Sequence, residues 1–443
     1  MNEAALSDRT RCHAPGMLDT DPLADQTVAA LLRLRPGSAG LRELEQALRL
    51  PLRNGDLLDA HALAASPLDA ERLAVLQAYF ARAGCLPDWA DAGLIELAGA
   101  HFRRHGSTCS IVLFCASLPE VYAYSGITEV LHSSQRLEQQ AEARIRSTAQ
   151  LVLPIMLAGG LCDAAQSGAA SVAKARLIHA LVRHQLLRGE PAARLAELGP
   201  QGSLPAQPLP PQARPFETMA AHGWNLASNG LPCNQREQAY VILCFSHVLV
   251  RSLRRLGLAM NPEEERACFH AWNVVAHLMG VRDEWLVWDA ATAQARFEAL
   301  QGPELQARAG ADPRPAHAQA LLQTMSQVIP NRLCRRFPEL LMRRLCDRPT
   351  LKALGQTGLA PLGPGLLFGL AMGAAQFGDR LARLRGRPAW AVESVIDLLG
   401  DRFITDILRL DLAQLRSAMG KNAPARWHQW LRRLLARPAQ TGA

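Results

Sequence analysis

Ser171–Arg188, SVAKARLIHALVRHQLLR, is the stretch on which the reading of the fold turns. It opens on a small polar residue and then runs helically, with apolar residues at spacings of three and four. Arg176 stands three residues before His179 and Arg183 four after it. Residues three and four apart share a helix face, so one imidazole lies between two guanidinium groups. Two fixed positive charges lower the proton affinity of a histidine and keep it neutral, the form that ligates a metal. The guanidinium groups in turn call for anions. A haem meets both demands, with iron for the imidazole and two propionates for the arginines. A solvated basic helix face with an incidental histidine satisfies the same spacing.

Helix signals continue on both sides of this segment. Arg33–Leu50 and Ala70–Ala83 repeat leucine and alanine at helical spacing, and Glu237–Leu256 and Glu263–Leu278 read as further helices. The latter follows Asn261-Pro262, a sound N-cap and first-turn pair, with Glu263–Glu265 favourable in the first turn. Strand-like alternation is scarce, and β-branched runs such as Ile111–Phe114 are short, so the expected fold class is all-α. Ser147–Cys162 is uncharged and contains Pro154; it reads as a helix buried in a large core rather than a membrane span. Gly199–Pro215 is a proline-rich connector without periodicity. Ala353–Gly378 is nearly uncharged, with two prolines and seven glycines. It reads as a buried hairpin, shallow membrane contact being the alternative.

The composition bounds the function. The 443 residues are 49% hydrophobic and 20% charged, which excludes a disordered or collagen-like chain. The 48 basic residues include only Lys174, Lys352 and Lys421 as lysines, leaving 45 arginines and a net charge of +8. The arginines are scattered, with no finger, basic zipper or aromatic–basic ribbon, so nucleic acid is not an expected partner. The ten cysteines form no C-x-x-C pair, excluding a zinc ribbon, a thioredoxin-type site and covalently attached haem. Nucleotide-loop, esterase and zinc-protease motifs are absent as well. The N-terminal MNEAALSDRTRCHAPGMLDTDP has neither the basic nor the apolar region of a signal peptide. Together with the free cysteines, this sets the expectation of a cytoplasmic protein.

Two more places could carry chemistry. Arg144 and Thr148 are four apart at the start of the uncharged helix; a guanidinium and a hydroxyl opening onto an apolar wall would suit the distal side of an oxygen-binding pocket. Upstream, Phe114–Tyr122 leads through a turn to Glu129-Val-Leu, and a carboxylate there, if buried, could act as a base.

In this order and spacing these segments resemble the latex-clearing-protein, or rubber oxygenase, family, itself similar to MpaB-type oxygenases that cleave isoprenoid side chains. The matching pieces are LFCASLPEVYA from Leu113, R-x-x-x-T at Arg144–Thr148 and R-x-x-H-x-x-x-R at Arg176–Arg183; WNLASNGLPCNQREQAYVILCFSHVLVRSLRRLG (Trp224–Gly257) and AWNVVAHLMGV (Ala271–Val281) look like the family's second half. The resemblance covers roughly residues 55–300, flanked by an N-terminal helical extension (1–54) and a C-terminal helical region (301–443). It implies a globin-like helical core around non-covalent haem b, with His179 as proximal ligand. Arg176 and Arg183 would support the haem, and Arg144 and Thr148 would lie on the distal side. The implied reaction adds dioxygen across an isoprenoid C=C bond to give two carbonyl products, and its partners are an apolar alkene and O2. Glu129 is the candidate base, with Glu120 second. The apolar cavity would be lined by Leu151, Leu153, Ile155 and Met156. Rubber-cleaving members carry a lysine just before the distal threonine, where this chain has Ser147; with no export signal, a small isoprenoid is the expected substrate rather than solid polymer. A non-catalytic haem or gas-binding protein and a haem-free lipid-binding module are the alternatives.

Overall fold

The computed structural model describes residues 13–55, 65–134, 141–209, 214–306, 312–327, 329, 334–358, 362–386 and 390–402. Three helices come first, α1 (Pro22–Leu34), α2 (Gly37–Ala47) and α3 (Ala70–Ala83). The central group is α4 (Ala92–Arg104), α5 (Gly106–Val112), α6 (Leu118–Ala123), α7 (Ser125–His132), α8 (Ala141–Met156) and the long α9 (Gly168–Leu187). Short helices α10 (Pro191–Leu198), α11 (Pro215–His222) and α12 (Leu226–Asn229) follow. The second half supplies α13 (Gln235–Phe245), α14 (His247–Leu256), α15 (Pro262–Leu278), α16 (Ala290–Gln301), α17 (Arg314–Gln327), α18 (Phe337–Leu345), α19 (Arg348–Ala353), α20 (Leu362–Leu384) and α21 (Ala391–Arg402). Among the described residues the only sheet is a two-stranded antiparallel ribbon, Ser203–Leu204 with Trp224–Asn225, which ties the proline-rich connector to the second half. The fold is all-α, as the helical periodicity leads one to expect.

One apolar cluster takes residues from Ile95 to Ile396, so packing is continuous across position 300. A second joins α1, α2 and α3 to Ala170, Ala173, Leu177, Ala180 and Leu181 of α9. A third sets Val130 of α7 against Val182, Leu186 and Leu187 of α9, together with Trp224 and Leu226. Helix α9 therefore has apolar neighbours on several sides, and it is the strut on which the site is built.

Three expected helices differ in their bounds. Arg33–Leu50 is two helices, because Pro36 has no N–H to donate and holds Arg35 in a non-helical conformation. Glu237–Leu256 breaks at Ser246, whose hydroxyl donates to the Ile242 carbonyl at 2.8 Å. The uncharged helix begins early, at Ala141, and stops at Met156, with only Ile145, Ala149, Val152, Ile155 and Met156 buried. The wholly buried apolar run is instead Gly106–Ala123, long enough to cross a membrane but enclosed by protein. It passes from α5 to α6 through a π-helical turn at Leu113–Ser117. Pro119 cannot donate to the Cys115 carbonyl four residues back; that carbonyl receives a weak contact from Cys346 Sγ at 3.8 Å.

Ala353–Gly378 is not a buried hairpin. From Leu362 it is one helix, α20, with Pro364 in the first turn where a missing N–H costs nothing, and much of its surface is open to solvent.

Candidate functional site

His179 lies in the middle of α9, facing Gln238 of α13, with Asp21 at the start of α1 also acting on it. The side chain of Gln238 on α13 puts its amide nitrogen 3.0 Å from His179 Nδ1. Turned over, the same amide offers its oxygen to Nδ1–H at the same place and leaves the Nε2 lone pair for another partner. Nε2 itself makes no hydrogen bond to any described residue. Burial, and next the charge of Arg183, push the imidazole down to about 4, so it is neutral near pH 7. Part of the ring surface stays accessible. A neutral imidazole held by an amide, with its other nitrogen free, could give that nitrogen to one metal ion. Among the described residues no three His, Cys, Asp or Glu side chains converge as a multidentate metal site.

The two flanking arginines find their anions within the chain. Arg176 donates through Nε and Nη2 to Asp21, the latter at 2.7 Å. Arg183 Nε donates to Asp25 at 2.8 Å and its Nη1 to the Cys233 carbonyl at 2.9 Å. Asp21 is the N-cap of α1 and Asp25 lies in its first turn, where the helix dipole also favours negative charge. In this structure both guanidinium groups are paired with carboxylates of α1 and brace α9 against it. Gly280 shelters the first pair. Its φ is +81°, and a Cβ there would sit 2.6 Å from Asp21 Oδ2 and 2.7 Å from Arg176 Nε, so only glycine fits.

Removing Arg183 would leave Asp25 buried without its cation, which costs about 3–5 kcal/mol. Arg183→Met is expected to lower the urea midpoint accordingly, and adding Asp25→Leu should recover most of the loss, since both charges are then gone. An unchanged midpoint in the single variant would refute the brace.

The other predicted residues gather around a row of rings. Glu129, on α7, faces His222 at the end of α11, with Oε1 3.0 Å from Nε2. The His222 and His132 rings lie 5.9 Å apart and nearly perpendicular, those of His132 and His317 6.4 Å, and those of His317 and Tyr122 5.8 Å. The row ends at Arg144 of α8, whose guanidinium acts on the Tyr122 hydroxyl. Burial, then Arg144 and His132, hold His317 down at about 4. Burial likewise lowers Arg144 and raises Tyr122. Arg144 Nη1 and His317 Nε2 are buried without a partner among the described residues. Buried polar atoms without partners are uncommon in native proteins; here two of them face the same neighbourhood, which suits a polar group from outside the chain.

Helix α13, which carries Gln238, also approaches α7. Glu237, beside Gln238, reaches so close to Gly126 of α7 that a Cβ there would lie 2.5 Å from its Oε1. The Thr148 hydroxyl donates back to the Arg144 carbonyl at 3.1 Å, and Ser147 does the same to Ala143 at 3.0 Å. Thr148 and Leu153 line a narrow apolar cleft with Phe102, Leu113, Phe114, Leu118 and Phe245. Met156 lines a neighbouring cleft with Phe102, Leu249 and Trp272, while Ile155 is part of the core.

Glu120 does not belong to the site. It is fully buried, and its carboxylate accepts from Arg251 at 2.7 Å, Gln301 at 2.6 Å and Thr350 at 2.7 Å. With its oxygens engaged and no solvent contact it ties α6 to α14 and α19, and it cannot serve as a mobile base.

Sequence reading missed Asp21, Asp25, Gln238, Tyr122, His132, His222 and His317. The acidic TDPLAD at Thr20–Asp25 is a local hint of a carboxylate-rich helix start. The histidines come from three separate helices, and no spacing along the chain announces them.

The described residues form an all-helical body in which His179 is neutral and several buried polar atoms have no partner within the chain. The chain belongs to the family described as ER-bound oxygenase mpaB/B'/Rubber oxygenase, catalytic domain, whose model matches residues 102–440. It is 28% identical over 127 residues to the rubber oxygenase of Streptomyces sp. (strain K30); that stretch is 28% of this chain and 23% of the relative's length. The solved structure of latex clearing protein LCP in the closed state is similar in fold, with a TM-score of 0.64 and 18% identity, covering 91% of this chain and 94% of that one.

Proposed function

We propose that this chain is a haem b-dependent oxygenase that cleaves a C=C bond of an isoprenoid alkene with O2, giving two carbonyl products. The observation that carries the proposal is His179, a neutral, partly accessible imidazole with Nδ1 against Gln238 and Nε2 without a partner among the described residues. Family membership supports the reaction class. His179 would hold the iron, and when bound the haem would supply the activation of dioxygen.

The chain's own residues do the rest. Gln238 orients the imidazole, and the Asp21–Arg176 and Asp25–Arg183 pairs hold α9 in place. Arg144, with Nη1 lacking an acceptor, is the cation available to an anionic or oxygen-bearing ligand. Phe114, Leu118, Leu153 and Phe245 exclude water beside Thr148, and an apolar wall favours an apolar alkene. Glu129 takes an allylic proton at its carboxylate and returns it, so none is consumed; His222 holds that carboxylate at Oε1. We place the reaction in the cytoplasm and favour a short isoprenoid over solid polymer, a reading that rests on the sequence.

Purified from haem-supplied cells, the protein should show a Soret band and consume oxygen with an oligo-isoprenoid alkene, releasing trappable aldehyde or ketone. A band without oxygen uptake would leave a haem- or gas-binding protein. Without a band the haem reading fails.

A further inference from the structure

Helix α20 presents an apolar face that no described residue covers. Leu366, Leu370, Phe377 and Leu384 are 66%, 63%, 70% and 84% exposed, and Trp390 beyond the helix end is 51% exposed. Steps of four and seven keep these side chains on one side of the helix. Phe368, Met372 and Ala375 on the other side are buried in the core.

The charge around this face has one sign. Between Gln356 and Val392 the sequence holds a single acid, Asp379. It points inward and accepts the backbone N–H groups of Trp390, Ala391 and Val392 at 2.8, 2.7 and 3.0 Å, so the start of α21 absorbs its charge. The outward charges are Arg380, Arg383 and Arg385, all exposed, although Arg383 also donates to the Gly257 carbonyl. The stripe runs along a 23-residue helix, about 34 Å at 1.5 Å per residue.

We propose that α20 docks this protein on an anionic lipid bilayer. The leucines and Phe377 enter the acyl boundary, Trp390 sits at headgroup level, and Arg380, Arg383 and Arg385 meet lipid phosphates. Charge complementarity selects this occupant. A second copy brought face to face would set arginines against arginines if the helices ran parallel, whereas a phosphate-bearing surface answers them in any register. The proposal is independent of haem.

The test is co-sedimentation of the full chain with sucrose-loaded vesicles, of phosphatidylcholine alone and mixed equally with phosphatidylglycerol. Binding is expected to the mixed vesicles and to weaken with salt. Leu370→Asp with Phe377→Asp should reduce it by roughly tenfold or more. Arg380→Gln, Arg383→Gln and Arg385→Gln together should reduce it by roughly 100-fold at low salt. Circular dichroism and light scattering accompany each variant. No sedimentation of the parent, or sedimentation unaltered by the apolar pair of substitutions in a folded protein, would overturn the proposal. So would a fall in molar mass on those substitutions, since the face would then join two copies of the chain.

Discussion

His179→Ala is expected to purify with helical content intact and no Soret band, even from haem-supplied cells. The side chain is part of no apolar cluster, and its one hydrogen bond, to Gln238, is lost without stranding a buried charge. The fold should therefore lose little, whereas iron would lose its protein ligand outright. Imidazole added to the variant should restore a band by entering the vacated volume, which separates loss of a ligand from misfolding. Gln238→Leu gives a graded control: the band should persist with a shifted reduction potential, since the amide orients the ring without touching iron. A His179→Ala protein with an undiminished band would place the axial ligand elsewhere and remove the basis of the proposed function.

Glu129→Gln carries the second large effect. If its carboxylate moves a proton, replacement by an amide of the same shape should lower kcat by about 10²–10⁴-fold with haem content unchanged. His222→Phe leaves the carboxylate in place but unheld. It should give a smaller loss of kcat and an altered pH profile, the mark of a positioning residue rather than one that touches substrate. A glutamine variant with full turnover in single-turnover kinetics would show that no proton passes through this position, while leaving His179 and the haem reading standing.

The parts of this site that sequence revealed are those encoded within one helix. His179 with Arg176 and Arg183, or Arg144 with Thr148, fall at spacings of three and four that geometry turns into a shared face. The cap of α15 was equally legible, with Asn261 at the N-cap and Pro262 opening the helix; the reciprocal pair that Asn261 forms with Glu264 is a further finding. What stayed hidden depends on contacts made across long stretches of chain. Asp21 and Asp25 meet their arginines over 155 and 158 residues, contacts that no local spacing announces. Glu120 and Glu129 looked alike as carboxylates near a turn; only packing shows that one is clamped by Arg251, Gln301 and Thr350 and the other faces a histidine. In α20, composition rich in glycine and proline suggested a hairpin. Pro364 instead falls at the helix start, and the internal glycines leave the exposed side thin.

The bracing of α9 by α1 also has a meaning in time. During synthesis the carboxylates of Asp21 and Asp25 emerge well before the guanidinium groups they will meet, and closing so long a loop is slow relative to local helix formation. The two ion pairs thus hold the first and middle thirds of the chain to each other.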